Sequence, residues 1–323
     1  MEFENLISFL NSHKDSREII VLVIALVFDI FFGEPPSVVH PVVITGKAIQ
    51  CSEKIGEKLS SSFLKILFGF ALIIFGSSVF FGLYFVGRKI VSLADIYIFE
   101  LIFDAFFLKT TFALRSLVEH SGSVMRELKK GDIQKARLEV AKIVGRKTEK
   151  LQRPHIISAS VESVAENTVD SFFSPILFFL LFGIYGSIFY RVINTLDAMV
   201  GYKNEKYKYI GLIPAKTDDL LNFIPARISI IFIFLGILFM RLDAKSSIST
   251  LLKFKRATPS PNSYVPICMF SGALNVRLEK IGFYSIGDFA LPQSEEIIRK
   301  SNILAVVSCL IFYLFVIFVE KVM

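Results

Sequence analysis

The sequence predicts an all-α, polytopic integral membrane protein, on three observations. The 323-residue chain has a mean hydropathy of +0.59, only 20% charged residues and 34 Phe, well above the apolar content of an ordinary soluble domain. Uncharged stretches run from Ile66 to Gly87, from Ser171 to Tyr190 and from Ser301 to Val319, each near the roughly 20 residues a helix needs to cross the hydrocarbon. The formal charge of +7, from 36 Lys and Arg against 29 Asp and Glu, suits cytoplasmic loops and contact with anionic membrane lipid; nucleic acid is not an expected partner.

Five hydrophobic segments stand out, at about 19–33, 66–87, 96–118, 171–190 and 303–319, with a shorter sixth at 228–240. The first follows a charged stretch and leads into Asp29 and Gly33-Glu34-Pro35-Pro36 with no small-residue cleavage site, so it reads as a retained helix with a rigid polar exit and not as a signal peptide. The 96–118 segment carries Glu100, Asp104, Thr111 and Arg115, whose spacing puts all four on one face of a single helix, a stripe that must meet protein or water. The region 119–170 is rich in Lys and Arg, from Arg126 to Arg153, which places it in the cytoplasm. Within it, Asp132 is positioned to cap a helix running through Ile133, Ala136, Val140 and Ile143-Val144.

Charge then conflicts with simple alternation. The loop 191–227 holds Lys203, Lys206, Lys208 and Lys216, and Arg241, Lys245, Lys253, Lys255 and Arg256 follow Met240, so all three loops read as cytoplasmic. At least one of the segments 171–190 and 228–240 is therefore expected to be re-entrant or a buried hairpin, with Gly183 and Gly186 offering a bend. The expected organisation is one membrane-embedded domain over 1–323, with polar motif-bearing cytoplasmic regions at 119–170 and 191–227 and a polar loop region at 242–302.

Three polar groups carry candidate chemistry. Glu162, Glu166 and Asp170 recur every four residues just before an apolar run, and like charges stacked on one helical face call for a cation or basic partner, or mark a carboxylate that handles a proton; the alternative is a solvated acidic face. Asn194 and Asp197 are three apart, with Gly201 ending the run. In Lys216-Thr217-Asp218-Asp219, Thr217 is placed to cap a helix, with Asn222 four beyond Asp218 and Arg227 ahead of the next apolar segment. Carboxylate and amide oxygens of this kind suit Mg²⁺, which usually shares its shell with substrate phosphates. Cys51, Cys268 and Cys309 have neither CxxC spacing nor a His pair nearby, so neither a disulfide framework nor a zinc site is expected. No P-loop, dinucleotide GxGxxG, HExxH or GxSxG motif occurs, which removes several familiar enzyme classes.

Taken in order, Asp29…Gly33-Glu34-Pro35-Pro36…His40-Pro41, then Gly145-Arg146…Glu162-Ser163-Val164-Ala165-Glu166-Asn167…Asp170, then Asn194-Thr195-Leu196-Asp197…Met199-Val200-Gly201-Tyr202, then Asp218-Asp219…Asn222…Ile224-Pro225-Ala226-Arg227 resembles the CobD/CbiB family of cobalamin biosynthesis. The resemblance runs from about residue 29 to residue 288. The chain departs from the family's usual pattern at Arg146-Lys147-Thr148, where Arg-Asp-Thr is common, and at Asp170-Ser171, where Asp-Gly is common.

The resemblance implies an adenosylcobinamide-phosphate synthase of the cell membrane, multi-pass and with its active site on the cytoplasmic side. Such an enzyme joins the corrinoid adenosylcobyric acid to (R)-1-amino-2-propanol phosphate by an ATP-dependent amide bond. It further implies ATP and Mg²⁺ as cofactors, a catalytic set of Glu162, Glu166 and Asp197, with Glu162 accepting the amine proton, and Asp170, Asp218 and Asp219 as metal ligands. Arg146 and Arg227 would clamp phosphates, and Asn167, Asn194 and Asn222 would orient substrate amides. All these side chains are expected around one magnesium-nucleotide pocket, with other membrane-associated enzymes of the pathway as possible neighbours. Two other classes fit the residues: a membrane transporter with Asp29, Glu100 and Asp104 lining a path, although no internal repeat is visible, and a Mg²⁺-dependent prenyl or lipid transferase using Asp218-Asp219 on a diphosphate.

Overall fold

The structure, a computed structural model, describes residues 17–202 and 204–322; Lys203, one of the basic residues of the 191–227 loop, lies outside them. In chain order the helices are α1 Arg17–Phe32, α2 Pro41–Glu57, α3 Ser62–Ser92, α4 Tyr97–Lys109, α5 Arg115–Lys129, α6 Ile133–Ala141 and α7 Arg153–Thr168. A π-turn over Val169–Phe173 leads into α8 Ser174–Val200, followed by α9 Leu212–Leu221, α10 Phe223–Phe239, α11 Ala244–Lys253 and α12 Tyr264–Leu274. A hairpin of β1 Leu278–Lys280 and β2 Tyr284–Ile286 precedes the last helix, α13 Glu296–Val322. Among the described residues, four helical stretches are long and apolar enough to cross a membrane: Ser62–Ser92, Arg153–Val200, Leu212–Phe239 and Glu296–Val322. Among the described residues the protein is thus all-α apart from one short hairpin, and polytopic, as its composition predicts.

Contacts divide the chain into two compact units, each with its own core. The first takes in the described residues of Met1–Ala113, Ser174–Leu221 and Phe315–Met323. Ile49, Leu72, Phe80, Phe107, Ile188, Val192 and Leu196 form its core, with Tyr84 beside Phe103 and Phe107. Only 28% of the most apolar window of α3 is buried within the protein, so most of that helix is left to meet lipid. Small residues allow it close approaches: a Cβ on Gly69 would lie 2.1 Å from the Ile210 carbonyl oxygen, and one on Gly87 would lie 2.5 Å from the Phe103 ring.

The 171–190 segment shows how the charge conflict is resolved. At Gly183 the backbone takes φ 62°, ψ −158°, a conformation essentially reserved for glycine. The chain reverses there: the rings of Phe178 and Tyr190 stack with centroids 5.3 Å apart, whereas twelve residues of straight helix would separate them by about 18 Å. Gly186 completes the turn, since a Cβ there would sit 2.4 Å from the Phe178 carbonyl oxygen. The two arms of α8 are therefore a helical hairpin that returns the chain to the face from which it entered. Along α3 the return arm meets Gly76 with Val192 and Tyr84 with Tyr185, so it runs antiparallel to a spanning helix.

The 96–118 stripe is corrected. A helix through all four residues is interrupted after Lys109 by turns at Thr110 and Thr111, whose hydroxyls bond back to the Phe107 and Leu108 carbonyls. Glu100 and Asp104 therefore sit on α4, Thr111 leaves it to bond Ser187, and Arg115 opens α5.

The second unit comprises Leu114–Phe173 and Asn222–Leu314. Its core is built on α7, with Ile156, Ile157, Val161 and Val164 packed among Val124, Ile267, Phe270, Leu278 and Ile286. The expected cap holds: Asp132 Oδ1 accepts from the Lys135 amide at 2.9 Å, and α6 ends at Ala141, so Ile143 and Val144 lie beyond it. Pro154 in the first turn of α7 fits a helix start, where no amide donor is needed.

Candidate active site

In the second unit, α7 is buried nearly all round, so its carboxylates do not form a solvated face. Glu162 is 4% exposed and both of its oxygens are engaged. Oε1 accepts from Ser158 Oγ at 2.7 Å and Arg146 Nη2 at 3.1 Å, and Oε2 from Tyr284 Oη at 2.8 Å. The same Ser158 hydroxyl accepts from the Glu279 amide at 2.7 Å, tying α7 to β1. Burial, with Glu162 and Glu166 close by, raises the Tyr284 phenol above its ordinary range, so it stays protonated and donates. Both Glu162 oxygens are thus committed to three donors, which makes it a positioning group for Arg146, Ser158 and Tyr284.

One turn further on, Glu166 and Asp170 are half-buried. Asp170 sits inside the π-turn, so the strict four-residue stripe ends at Glu166; widened turns of this kind recur at functional sites. Asn167 is engaged locally, its Nδ2 donating to the Ser163 carbonyl at 2.9 Å while its Oδ1 accepts from Ser171 Oγ at 3.0 Å. Arg146 Nε is buried with no hydrogen-bond partner among the described residues. Arg227 is committed to a loop: its Nη1 donates to Asn262 Oδ1 at 2.5 Å and to the Phe223 carbonyl, its Nη2 donates to the Pro261 carbonyl, and its guanidinium lies 3.8 Å from the Phe223 ring centre. This anchors Pro259-Ser260-Pro261-Asn262 and runs against a phosphate-clamping role for Arg227. Asn222 is buried at the start of α10.

The remaining sequence-predicted residues, Asn194, Asp197, Asp218 and Asp219, belong to the first unit. Thr217 is not a cap, since α9 already begins at Leu212 and the Thr217 hydroxyl bonds back to the Ile213 carbonyl. Asp218 is buried and accepts from Asn194 Nδ2 at 3.4 Å, while Asn194 Oδ1 accepts from Arg191 Nη1 at 3.3 Å. Asp197 and Asp219 are half-exposed, and their carboxylates lie close enough to interact electrostatically. Gly201 and Gly211 let the intervening loop close against α8: a Cβ on Gly201 would lie 2.1 Å from Asp197 Oδ1, and one on Gly211 would lie 1.8 Å from the Val200 carbonyl oxygen.

Among the described residues, no group of three or more His, Cys, Asp or Glu is placed to hold a metal by itself. A pair such as Asp197 and Asp219 still fits Mg²⁺ of the type that takes one or two protein carboxylates and completes its shell with phosphate and water.

The first unit contains a second polar centre, to which spacing assigned no role. Lys109, 2% exposed, places Nζ 3.1 Å from Asp29 Oδ1 and 2.9 Å from Glu34 Oε1. His40 accepts from the Val42 amide through Nδ1, capping α2, and meets Glu34 Oε2 through Nε2 at 3.0 Å. Burial alone would raise the Glu34 carboxyl, but the His40 hydrogen bond and the Lys109 ammonium outweigh it and bring it down to about 2. Two carboxylates of the Asp29…Gly33-Glu34-Pro35-Pro36…His40-Pro41 motif thus surround one buried lysine, and His40 holds the second of them.

The model for the CobD/Cbib protein family matches residues 22–310. A cobalamin biosynthesis protein CobD of Dehalococcoides mccartyi (strain CBDB1) is 38% identical over 287 residues, covering 88% of this chain and 92% of the relative. Probable cobalamin biosynthesis proteins CobD of Pyrococcus furiosus and Methanocaldococcus jannaschii are each 39% identical, over 282 and 272 residues, covering 87% and 83% of this chain and 92% and 88% of theirs. No solved structure matches it. On the breadth of the family match and the level of these identities, the chain belongs to the CobD/CbiB family.

Proposed function

We propose that the protein catalyses ATP-dependent amide formation between adenosylcobyric acid and (R)-1-amino-2-propanol phosphate in cobalamin biosynthesis, on the cytoplasmic side of the membrane. Membership of a family whose curated relatives are named for cobalamin biosynthesis supports the pathway. The observation that carries the chemistry is the set of polar residues that match the family motifs, Arg146, Glu162, Glu166 and Asp170 in one unit and Asn194, Asp197, Asp218 and Asp219 in the other.

A carboxylate does not condense with an amine unaided. Attack of a corrinoid carboxylate oxygen on the terminal phosphorus of ATP breaks the bridging P–O bond, releases ADP and leaves an acyl phosphate. The amine nitrogen then attacks the acyl carbon, phosphate leaves, and the amine proton passes to a base. Such a reaction rests on positioning and charge neutralisation. Glu166, half-buried and one turn from the saturated Glu162, takes the proton in this reading. Glu162 holds Arg146 against the phosphates. Asp197 and Asp219 would hold Mg²⁺, backed by Asp218 and Asn194; Mg²⁺, when bound, neutralises phosphate charge. Asn167, Asn194 and Asn222 orient substrate amides.

The test is genetic and chemical together. Cells lacking the protein should accumulate cobyric acid and recover cobalamin when given cobinamide; accumulation of an earlier intermediate, or failure of cobinamide to rescue, removes the assignment. A transporter would instead give flux without chemistry, and a prenyl transferase would release diphosphate from a lipid donor.

A further inference from the structure

The uncharged run of α3, Ile66 to Gly87, is bounded by Lys65 and Arg88. Its 22 residues rise about 33 Å, close to the roughly 30 Å of a hydrocarbon core. Arg88 therefore lies at headgroup depth, and the hairpin tip at Gly183 reaches the same level, because the return arm passes Tyr84 at Tyr185. At this end of the first unit a cleft of about 330 Å³ is lined by Arg17, Glu18, Tyr84, Arg88, Asp104 and Gly183, among others. That volume is at the small end for ligand pockets, roughly 300–1,000 Å³, and is too small for a corrinoid ring.

The charges in the cleft are only partly satisfied. Asp104 accepts from Tyr84 Oη at 2.9 Å and pairs with Arg17 Nη2 at 2.5 Å and Arg88 Nε at 3.4 Å, and Arg88 Nη2 pairs with Glu100 at 2.7 Å. Arg88 Nη1 is nevertheless buried without an acceptor among the described residues, although buried donors are almost always paired. Glu18 has no cationic partner among the described residues, and the Glu320 carboxylate lies near enough to repel it. Two guanidiniums, Arg17 and Arg88, thus share the cleft lining with two carboxylates, Glu18 and Asp104, with one donor and one acceptor unspent. A simple anion would leave Glu18 without a cation, and a simple cation would leave Arg88 unsatisfied. Beside the cleft, Phe85, Val86, Phe182 and Tyr185 are more than half exposed, a collar that suits acyl chains.

We propose that this cleft is a binding site for the ammonium-phosphate headgroup of a phosphatidylethanolamine-type lipid, the phosphate meeting Arg88 and Arg17 and the ammonium meeting Glu18. The site lies at the opposite end of the α8 return arm from Asp197, and the proposal is independent of the chemistry assigned to that residue.

The test is thermal unfolding of the purified full chain in detergent with added phosphatidylethanolamine, phosphatidylcholine or phosphatidylglycerol at equal mole fraction, with soluble phosphoethanolamine as a separate arm. Phosphatidylethanolamine should raise the midpoint by roughly 3 °C or more above either other lipid, the scale on which a ligand well above its Kd moves a chain of this size. Glu18→Gln, which breaks no ion pair among the described residues, should abolish that difference between lipids, and Arg88→Gln should abolish it too. Equal shifts from all three lipids, or a full phosphatidylethanolamine increment in Glu18→Gln, would overturn the proposal. Equal stabilisation by soluble phosphoethanolamine would overturn the assignment to lipid.

Discussion

At the scale of single residues, the account turns on which polar groups are already engaged. Glu162 accepts from Arg146, Ser158 and Tyr284, so it positions its neighbours, and the proposed function gives the proton to Glu166, one turn further along. Tyr284→Phe leaves a buried carboxylate one donor short and should cost about 1–3 kcal/mol, read as a lower unfolding midpoint; an unchanged midpoint would mean that the hydrogen bond is not made. Lys109→Met leaves Asp29 and Glu34 facing each other without their buried cation and should destabilise by about 3–5 kcal/mol, measured by denaturant or thermal unfolding in detergent. The sequence contained the carboxylates but not their partners. Tyr284 lies 122 residues from Glu162, and Lys109 falls at the end of a hydrophobic run, where its charge looks like a boundary and not like the centre of a motif. A lone buried-type lysine opposite Asp29 and Gly33-Glu34 was the one available signal.

At the scale of elements, hydropathy located three of the four span-length stretches, at 66–87, 171–190 and 303–319, while 228–240 gains its length from the preceding helix and 19–33 and 96–118 hold shorter helices; the charge of the loops located the anomaly among them. The basic character of 191–227 required a segment that does not simply cross, and Gly183 supplies the reversal. Gly183→Ala should cost about 1–3 kcal/mol, because an L residue is strained in that backbone region, and Gly186→Val should cost more, since its side chain would be built into the Phe178 carbonyl. A Gly186→Val protein as stable as the parent would contradict the hairpin. Helix boundaries near polar residues were harder to read. Thr110 and Thr111 end α4 by bonding their own helix carbonyls, a local choice with no signature in the periodicity of 96–118. The π-turn at Val169–Phe173 is likewise set by packing and not by propensity.

At the scale of the whole molecule, composition fixed the class and ordered motifs fixed the family, but the division into two units has no marker along the chain. Both units are discontinuous in sequence, so no linker or shift in composition announces them. The depth argument makes a topological prediction. With Cys51, the exposed native thiol, changed to Ser, a cysteine at Asn204 and one at Ala94 should label from opposite sides of sealed vesicles, because α3 and the return arm of α8 separate the two positions. Labelling of both from one side would refute the arrangement.

The central claim is chemical, and the most direct measurement is amide synthesis itself: membranes containing the protein, supplied with adenosylcobyric acid, aminopropanol phosphate, ATP and Mg²⁺, followed by the appearance of adenosylcobinamide phosphate. The account predicts product only when ATP is present, and losses of roughly 10²-fold or more on changing Glu166 or Asp219 to Ala. Product formed equally well without ATP, or undiminished synthesis by either variant, would contradict it.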